Sequence, residues 1–388
     1  MNILIISFDA DPPHYGGVAT MTNLLAKELI EKEHTCCLGY PWKTEYPSTF
    51  FKNKILLSND NILEIKEYAQ KHQFDIILSQ FVTLDYKLIS LLKTPHTKVI
   101  SVYHSRPMLH GLQLEGLIKI IEQNNNWLYK LYTAAKIPLL PIYKIVGKNK
   151  EKQCFLEAYQ NSDKLILLSK YYFPVLKKII PQANINKFAF IGNPVVFDEY
   201  YPIEKLNKKK KKILVVCSAN HVKRIPILLK IWQAIERDPI YNDWNFTFVG
   251  GGDRFNHIIK RAHKMKLKRI TFIGFTSPLP YYKESSIMLM TSKYEGWPMV
   301  LMEGQQMGVV PISYNSFESL QEIIDNEKNG IIIPNNNISL FIKKLKDLMM
   351  DNEKRNEMAK NAIITSQIHS KENAINKYIN LFNNLLHK

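Results

Sequence analysis

The sequence predicts an α/β protein built from two doubly wound, Rossmann-like domains. Three observations predict it. Short apolar, β-rich runs alternate with amphipathic helical stretches in two successive blocks. Several of these runs are apolar on both faces, as parallel strands covered by helices must be. The 388 residues suffice for two domains of ~100–200 residues each, and a hydrophobic fraction of 46% supplies two cores.

In the first block the expected strands are Ile3–Phe8, Asp75–Ser79, Lys98–Tyr103, Lys164–Leu168 and Phe188–Ile191. Apolar residues at helical spacing predict a helix over Ala19–Glu31. Residues 105–161 interrupt the block. There Met108–Ile145 is apolar and aromatic, with Lys119, Lys130, Lys136 and Lys144 interleaved, and Pro138 and Pro141 break it. Such a stretch suits a membrane interface, rings and aliphatic groups down and lysines at headgroup level. It suits an ordinary pair of helices packed on the domain at least as well. The run Leu206–Lys212, with five consecutive lysines, reads as a solvated linker between domains 1–204 and 205–388. In the second block the expected strands are Ile213–Cys217, Phe246–Val249, Ile270–Ile273, Ile287–Thr291, Val309–Ser313 and Ile331–Ile333. Helices are expected over Ile225–Ile235 and Phe255–Met265, and successive amphipathic helices from Ser339 onward.

Composition excludes a disordered, collagen-like or low-complexity chain. Cys36, Cys37, Cys154 and Cys217 have no C-x-x-C spacing, which argues against a disulfide framework or zinc knuckle and for a reducing compartment. The first residues lack the basic region and long apolar run of a signal peptide. No segment has the ~18 uninterrupted apolar residues of a spanning helix. Net charge is +17, from 52 Lys+Arg and 35 Asp+Glu. Residues 130–187 hold 11 Lys/Arg against 3 acids, and residues 254–283 hold 8 Lys/Arg and no acid. This is either a footprint for phosphate-bearing or anionic-membrane partners, or solvated lysine in a Lys-, Asn- and Ile-rich chain.

The sharpest local motif is Glu295-Gly296-Trp297-Pro298-Met299-Val300-Leu301-Met302-Glu303, after an expected buried strand and opening a helix. Gly296 permits close approach of backbone to a ligand. Pro298 suits the first helical position, which needs no N–H. The free N–H groups of a first turn and the helix dipole favour an anion such as a diphosphate. Glu295 lies in the loop and Glu303 about a turn and a half into the helix, so the two carboxylates address different parts of one ligand. Each accepts two hydroxyl hydrogen bonds, the chemistry that suits vicinal diols of sugar and ribose.

The E-x7-E spacing with Gly-Trp-Pro resembles the signature of retaining GT-B glycosyltransferases, glycosyltransferase family 4 in particular. The resemblance extends through Tyr15-Gly16-Gly17, Gly192-Asn193-Pro194-Val195, Val249-Gly250-Gly251-Gly252, Phe272-Ile273-Gly274-Phe275, Met307–Ile312 and Asn329–Pro334. It implies the GT-B fold, two Rossmann-like domains facing a cleft, with the last helix packing back on the first domain. It implies that Glu303 holds the donor ribose and Glu295 the transferred sugar. The N–H groups of Met299 and Val300 would meet the diphosphate or sugar, and Gly16 and Gly17 would close on the diphosphate. His104, at the end of Lys98–Tyr103, matches the family's active-site histidine. Lys223 matches the family's lysine facing the diphosphate. The family's arginine falls on Ala219, a departure that Arg224 or His221 would have to compensate.

The activity so implied is transfer of a hexose, with retention, from a nucleotide-sugar to a hydroxyl of a glycan or lipid-linked acceptor. No cofactor and no obligatory metal are expected, and no nucleic-acid partner. The implied setting is bacterial surface polysaccharide, capsule or lipopolysaccharide assembly, cytoplasmic or peripheral at the inner face of the membrane. A nucleotide-sugar epimerase of the same fold, and a non-catalytic nucleotide-sugar- or nucleic-acid-binding protein, are the alternatives. Asp9-Ala10-Asp11 is a D-x-D, a metal–diphosphate motif in a different glycosyltransferase fold. It lies where loop and helix-entry acids are expected, with no further carboxylate cluster beside it. No G-x-G-x-x-G follows the first strand, and no G-K-[ST] loop occurs.

Overall fold

A computed structural model describes residues 1–9, 16–43, 47–82, 85–108 and 126–387. Its chain divides into two compact units, Met1–Phe190 together with the chain from Ile379 onward, and Ile191–Tyr378. All eleven expected strands form, with ends shifted by up to three residues.

The amino-terminal unit runs β1 (Asn2–Ile6), α1 (Gly16–Glu31), β2 (Thr35–Tyr40), β3 (Lys54–Leu56), α2 (Ile62–His72), β4 (Ile76–Ser79) and α3 (Tyr86–Leu91). It continues with β5 (Lys98–Tyr103), α4 (Trp127–Ala134), α5 (Leu140–Asn161), β6 (Lys164–Leu167), α6 (Phe173–Ile179) and β7 (Phe188–Phe190). Its seven strands lie in the order β3-β2-β1-β4-β5-β6-β7, every neighbour parallel. β4 is buried at all four positions, the mark of a strand covered on both faces. β2 and β3 were not expected. Thr-Cys-Cys-Leu-Gly-Tyr has little β-branched character and β3 is three residues long. Pairing decides both, since β2 lies against β1 with Ile3 opposite Cys36.

Within the interruption, the described part forms α4 and α5. Asn126 caps α4 by accepting from the N–H groups of Leu128 and Tyr129. Pro141 sits in the first turn of α5, where its missing N–H costs nothing. Residues 109–125 of the apolar stretch, Lys119 among them, lie outside the described residues.

The carboxy-terminal unit runs β8 (Lys210–Val216), α7 (Ile225–Glu236), β9 (Asn245–Val249), α8 (Phe255–Lys264), β10 (Ile270–Gly274), α9 (Leu279–Glu284), β11 (Ser285–Met290) and α10 (Met299–Gln306). Next come β12 (Val310–Asn315), α11 (Leu320–Ile323), β13 (Ile331–Pro334), α12 (Ile338–Met350), α13 (Asn352–Ile368) and α14 (Lys371–Leu386), which reaches beyond the unit. The all-parallel sheet has the order β10-β9-β8-β11-β12-β13. α7 buries Ile225, Leu228, Ile231, Trp232 and Ile235, and Trp232 meets Phe246 of β9 at 5.5 Å between ring centres. Each such side chain removed from water contributes ~1.5–3 kcal/mol.

The lysine run is not a linker. Lys210–Lys212 open β8, and these three of the five lysines are each paired with an acid. Lys210 and Lys212 pair with Glu284, and Lys211 pairs with Asp243. The Lys209 ammonium donates to the carbonyls of Tyr282 at 2.8 Å and Ser285 at 2.9 Å. Paired charge removes the repulsion that would keep such a run extended in solvent. Among the described residues no helix is long and apolar enough to cross a membrane, and no group of three or more His, Cys, Asp or Glu is placed to hold a metal ion.

Candidate functional site

Strand order reverses between β8 and β11, with β9 and β10 to one side and β12 and β13 to the other. In open α/β sheets the loops leaving the carboxyl ends of the strands part at such a point and leave a crevice. The β8–α7 and β11–α10 loops meet there, and they carry Lys223 and Glu295.

The β8–α7 loop is held on both sides. On one side, the Ala219 N–H donates to Gly251 O at 2.6 Å and the Cys217 N–H to Val249 O at 3.1 Å. Gly250, at φ +139°, has no alternative residue. A Cβ there would lie 2.0 Å from the Cys217 carbonyl oxygen. On the other side, the Lys293 N–H donates to Val222 O at 2.7 Å, and the Thr291 hydroxyl donates to Lys223 O at 3.0 Å. The Asn220 side chain accepts from the N–H groups of Val222 and Lys223, closing the turn.

This fixes Lys223, whose Nζ lies 2.5 Å from Glu295 Oε1 with both side chains largely buried. Cys217 stands beside them. Burial first, and then the opposed charges of Lys223 and Glu295, leave its thiol pushed up to about 12. Lys223, Cys217, Thr291, Ser292 and Val300 line one small cavity.

Arg224 is not brought to this ion pair as a second free cation. Its guanidinium makes four hydrogen bonds, to Thr291 O at 2.5 Å, Ser292 O at 2.8 Å, Asn336 Oδ1 at 2.7 Å and Asn335 Oδ1 at 2.9 Å. It also lies 5.2 Å from the Tyr314 ring centre. The residue ties the β8–α7 loop to the end of β11 and to the segment after β13. Ala219 is fully buried in the core of the unit, and its methyl group packs there. His221 is exposed in the same loop.

The Glu-Gly-Trp-Pro segment is explained largely by Trp297. The indole is buried, at 5% exposure, over Gly192 and edge-on to His369 at 5.3 Å between ring centres. A Cβ on Gly192 would come within 2.6 Å of the ring, which accounts for the glycine in Gly192-Asn193-Pro194. Gly296 lies between Glu295 and this anchor. Pro298 is the residue before the first helical position of α10, not the first position itself. Its extended ψ of 101° turns the chain into the helix. Met299 and Val300 are then the first two helical residues, half-buried, with N–H groups that no helical carbonyl can reach.

Glu303, one turn further, is half-buried, and Tyr282 of α9 donates its O–H to Glu303 Oε2 at 2.8 Å. Desolvation outweighs that hydrogen bond, and the Glu303 carboxyl is pushed up to about 7. Tyr282 is itself fully buried. No feature of the sequence marked Tyr282, because its partner lies 21 residues away.

The remaining expected residues lie in the amino-terminal unit. Gly16, at φ +68°, and Gly17 open α1 after β1. Tyr15, Ala10 and Asp11 lie outside the described residues. Asp9 accepts from Lys54 Nζ at 2.9 Å and from the Ser48 N–H at 3.1 Å. His104 follows β5, and its Nε2 lies 2.5 Å from Oε1 of the buried Gln80, which follows β4. An amide oxygen accepts, so Nε2 carries the hydrogen and Nδ1 is the acceptor. Burial lowers the His104 pKa to about 4, so the imidazole is neutral at pH 7.

Residues 196–365 match the family described as "Glycosyl transferases group 1". The chain is 29% identical over 200 residues to an uncharacterized glycosyltransferase of Haemophilus influenzae, covering 50% of this chain and 54% of that protein. It is 25% identical over 210 residues to the amylovoran biosynthesis glycosyltransferase AmsD of Erwinia amylovora, covering 54% and 57%. The chain thus spans about half the length of these curated relatives. The fold is GT-B. It matches Anabaena HepE, solved in complex with UDP, with a TM-score of 0.73 over 99% of this chain and 100% of that one, at 12% identity.

Proposed function

We propose that this chain is a retaining GT-B glycosyltransferase of glycosyltransferase family 4, moving a hexose from a nucleotide-sugar to a hydroxyl of a glycan or lipid-linked acceptor. One observation carries the proposal. Lys223, Glu295 and Glu303 stand on the loops and helix that meet at the strand-order reversal, inside the segment that matches a glycosyltransferase family. Glu303 takes the ribose hydroxyls and Glu295 the hydroxyls of the sugar. The ligand-free ion pair then opens, and Lys223 turns its charge to the diphosphate. The bond from the anomeric carbon to the phosphate oxygen breaks as the bond to the acceptor oxygen forms on the same face. The acceptor proton passes to the departing phosphate. A fixed cation matters because negative charge accumulates on that phosphate as it leaves. His104 is held neutral, with Gln80 fixing Nε2–H and leaving Nδ1 as the acceptor. Arg224 is a positioning residue, since it holds the loop that carries Lys223. No metal is required by this scheme.

AmsD is named as a glycosyltransferase of amylovoran biosynthesis, and such relatives support bacterial surface polysaccharide or glycolipid assembly as the setting. HepE was solved with UDP, which makes uridine diphosphate sugars the first donors to test. The exposed rings and aliphatic groups of α4 and α5, such as Trp127, Leu131, Tyr132, Ile142 and Ile145, support peripheral contact with an anionic membrane. Residues 127–150 carry five lysines and no acid. Incubation of the protein with a panel of nucleotide-sugars, with and without glycan and polyprenyl-diphosphate-sugar acceptors, tests the reading. The expected product is an acceptor glycoside of unchanged anomeric configuration. An isomerised nucleotide-sugar formed without acceptor would make the protein an epimerase instead.

A further inference from the structure

The two oxygens of the Glu303 carboxyl are not equivalent. Oε2 accepts from the Tyr282 hydroxyl at 2.8 Å, while Oε1 has no partner among the described residues. The phenol oxygen also lies 3.3 Å from Val300 O. A hydroxyl has one hydrogen, so the shorter contact, to the acceptor that carries charge, takes it. Once the carboxyl is protonated, the phenol can accept from it and donate to Val300 O instead. Desolvation raises the Glu303 carboxyl to about 7, and the Tyr282 hydrogen bond is what opposes that rise.

The phenol is itself held from behind. Its ring meets Phe197 edge-on, 6.1 Å between centres. The Phe197 backbone is bound at both ends by the fully buried Gln306 side chain, one turn beyond Glu303 on α10. The Phe197 N–H donates to Gln306 Oε1 at 3.3 Å, and Gln306 Nε2 donates to Phe197 O at 2.9 Å. At the other end of the same segment, the Lys209 ammonium closes the last turn of α9 by donating to Tyr282 O and Ser285 O. It also stands 4.3 Å from the Tyr201 ring centre, and the Tyr201 N–H donates to Gln306 O at 3.1 Å. Residues 197–209 thus tie together the two helices that carry the phenol and the carboxylate. Lys209 differs here from Lys210, Lys211 and Lys212, which pair with acids. It has no ion pair among the described residues, and desolvation lowers its pKa to about 7. A neutral amine still has two N–H groups for the two nearer carbonyls, so the anchor holds in either state.

We propose that Tyr282 and Lys209 are positioning residues for nucleotide binding: Tyr282 holds one oxygen of Glu303 and leaves the other for the ribose hydroxyls, and Lys209 fixes the end of α9 from which Tyr282 reaches it. Tyr282 is fully buried, so it acts through Glu303 and not on the ligand. The inference rests on the reading that Glu303 receives the nucleotide.

The test is calorimetric titration of wild type, Tyr282→Phe, Lys209→Met and Glu303→Ala with UDP, GDP, ADP and CDP between pH 6 and 9. In wild type, affinity for the nucleotide that binds should rise around pH 7. Losing a hydrogen bond to the charged carboxylate should move that rise up by about one pH unit in Tyr282→Phe. The variant should then bind about five-fold more weakly at pH 7 and recover to within about two-fold by pH 9. A phenol that served packing alone would lower affinity equally at every pH. Lys209→Met should show the same displacement at smaller amplitude, and if either variant does not fold, the other decides. A readout without ligand accompanies it: the difference in melting temperature between each protein and its Glu303→Gln derivative, followed over the same pH range. Its midpoint should be displaced upward in Tyr282→Phe as the binding midpoint is. If Glu303→Ala loses affinity while the folded Tyr282→Phe and Lys209→Met variants keep the wild-type pH dependence, the proposal is overturned and the role of Glu303 stands. If none of the four nucleotides binds, or folded Glu303→Ala binds as wild type does, the premise falls and the proposal with it.

Discussion

Glu303 sets stability against function. Its carboxyl, with a pKa of about 7 against an ordinary 4.5, keeps a proton in the folded protein that the unfolded chain releases. The stability so contributed is full below about pH 4.5 and is lost as pH rises through 7. Glu303→Gln should therefore raise stability at pH 8 by ~1–3 kcal/mol, a gain that vanishes by pH 4.5; thermal melts at the two pH values measure it. The same change should cost nucleotide affinity, because the neutral amide replaces a charged acceptor. In wild type, affinity should climb between pH 6 and 8 as the carboxylate forms. Flat affinity over that range would mean that Glu303 does not meet the ligand. Lys223→Ala should lower kcat by ~10²–10³ if the ammonium faces the leaving diphosphate. Arg224→Lys keeps the charge but loses the fork that spans Thr291, Ser292, Asn335 and Asn336. It should destabilise the protein by ~1–3 kcal/mol in a denaturant titration. A variant with reduced turnover but unaltered stability would instead make Arg224 a ligand to the diphosphate.

The loops at the strand ends translate glycine spacing into geometry. Gly250→Ala would drive a Cβ into the Cys217 carbonyl and release the loop that carries Lys223. It should cost ~3 kcal/mol or more, read as a fall in melting temperature. The strands were legible because they are apolar on both faces. β2 and β3 were not, because their place depends on pairing with β1 and not on their own composition. The lysine run misled for a related reason. Its neutralising acids, Asp243 and Glu284, lie some thirty to seventy residues away in sequence. For α4 and α5, exposed rings and acid-free lysines make a prediction of their own. Reversing Lys130, Lys136, Lys144 and Lys148 to Glu should release the protein from anionic liposomes in co-sedimentation at low salt, at ~1 kcal/mol per lysine near the surface. Failure of wild type to sediment would leave those helices without a lipid partner.

At the level of the full chain, repeated β-α alternation made two doubly wound units legible from sequence, and the strand orders place the reversal in each. The candidate site was legible where chemistry is carried by local spacing, as in Glu295 and Glu303. It was hidden where partners are distant, as with Tyr282 on Glu303 or Gln80 on His104. Arg224 shows the limit of reading charge alone. A cation beside the expected lysine turned out to be spent on backbone carbonyls. The claim on which everything else rests is that the carboxy-terminal unit binds a nucleoside diphosphate through Glu303. Calorimetric titration of wild type and Glu303→Ala at pH 8 with UDP, GDP, ADP and CDP tests it most directly. One of the four should bind wild type and bind Glu303→Ala at least ten-fold more weakly, since charged hydrogen bonds contribute ~1.5–3 kcal/mol each. Binding of none of them, or equal binding by the folded variant, would contradict the account.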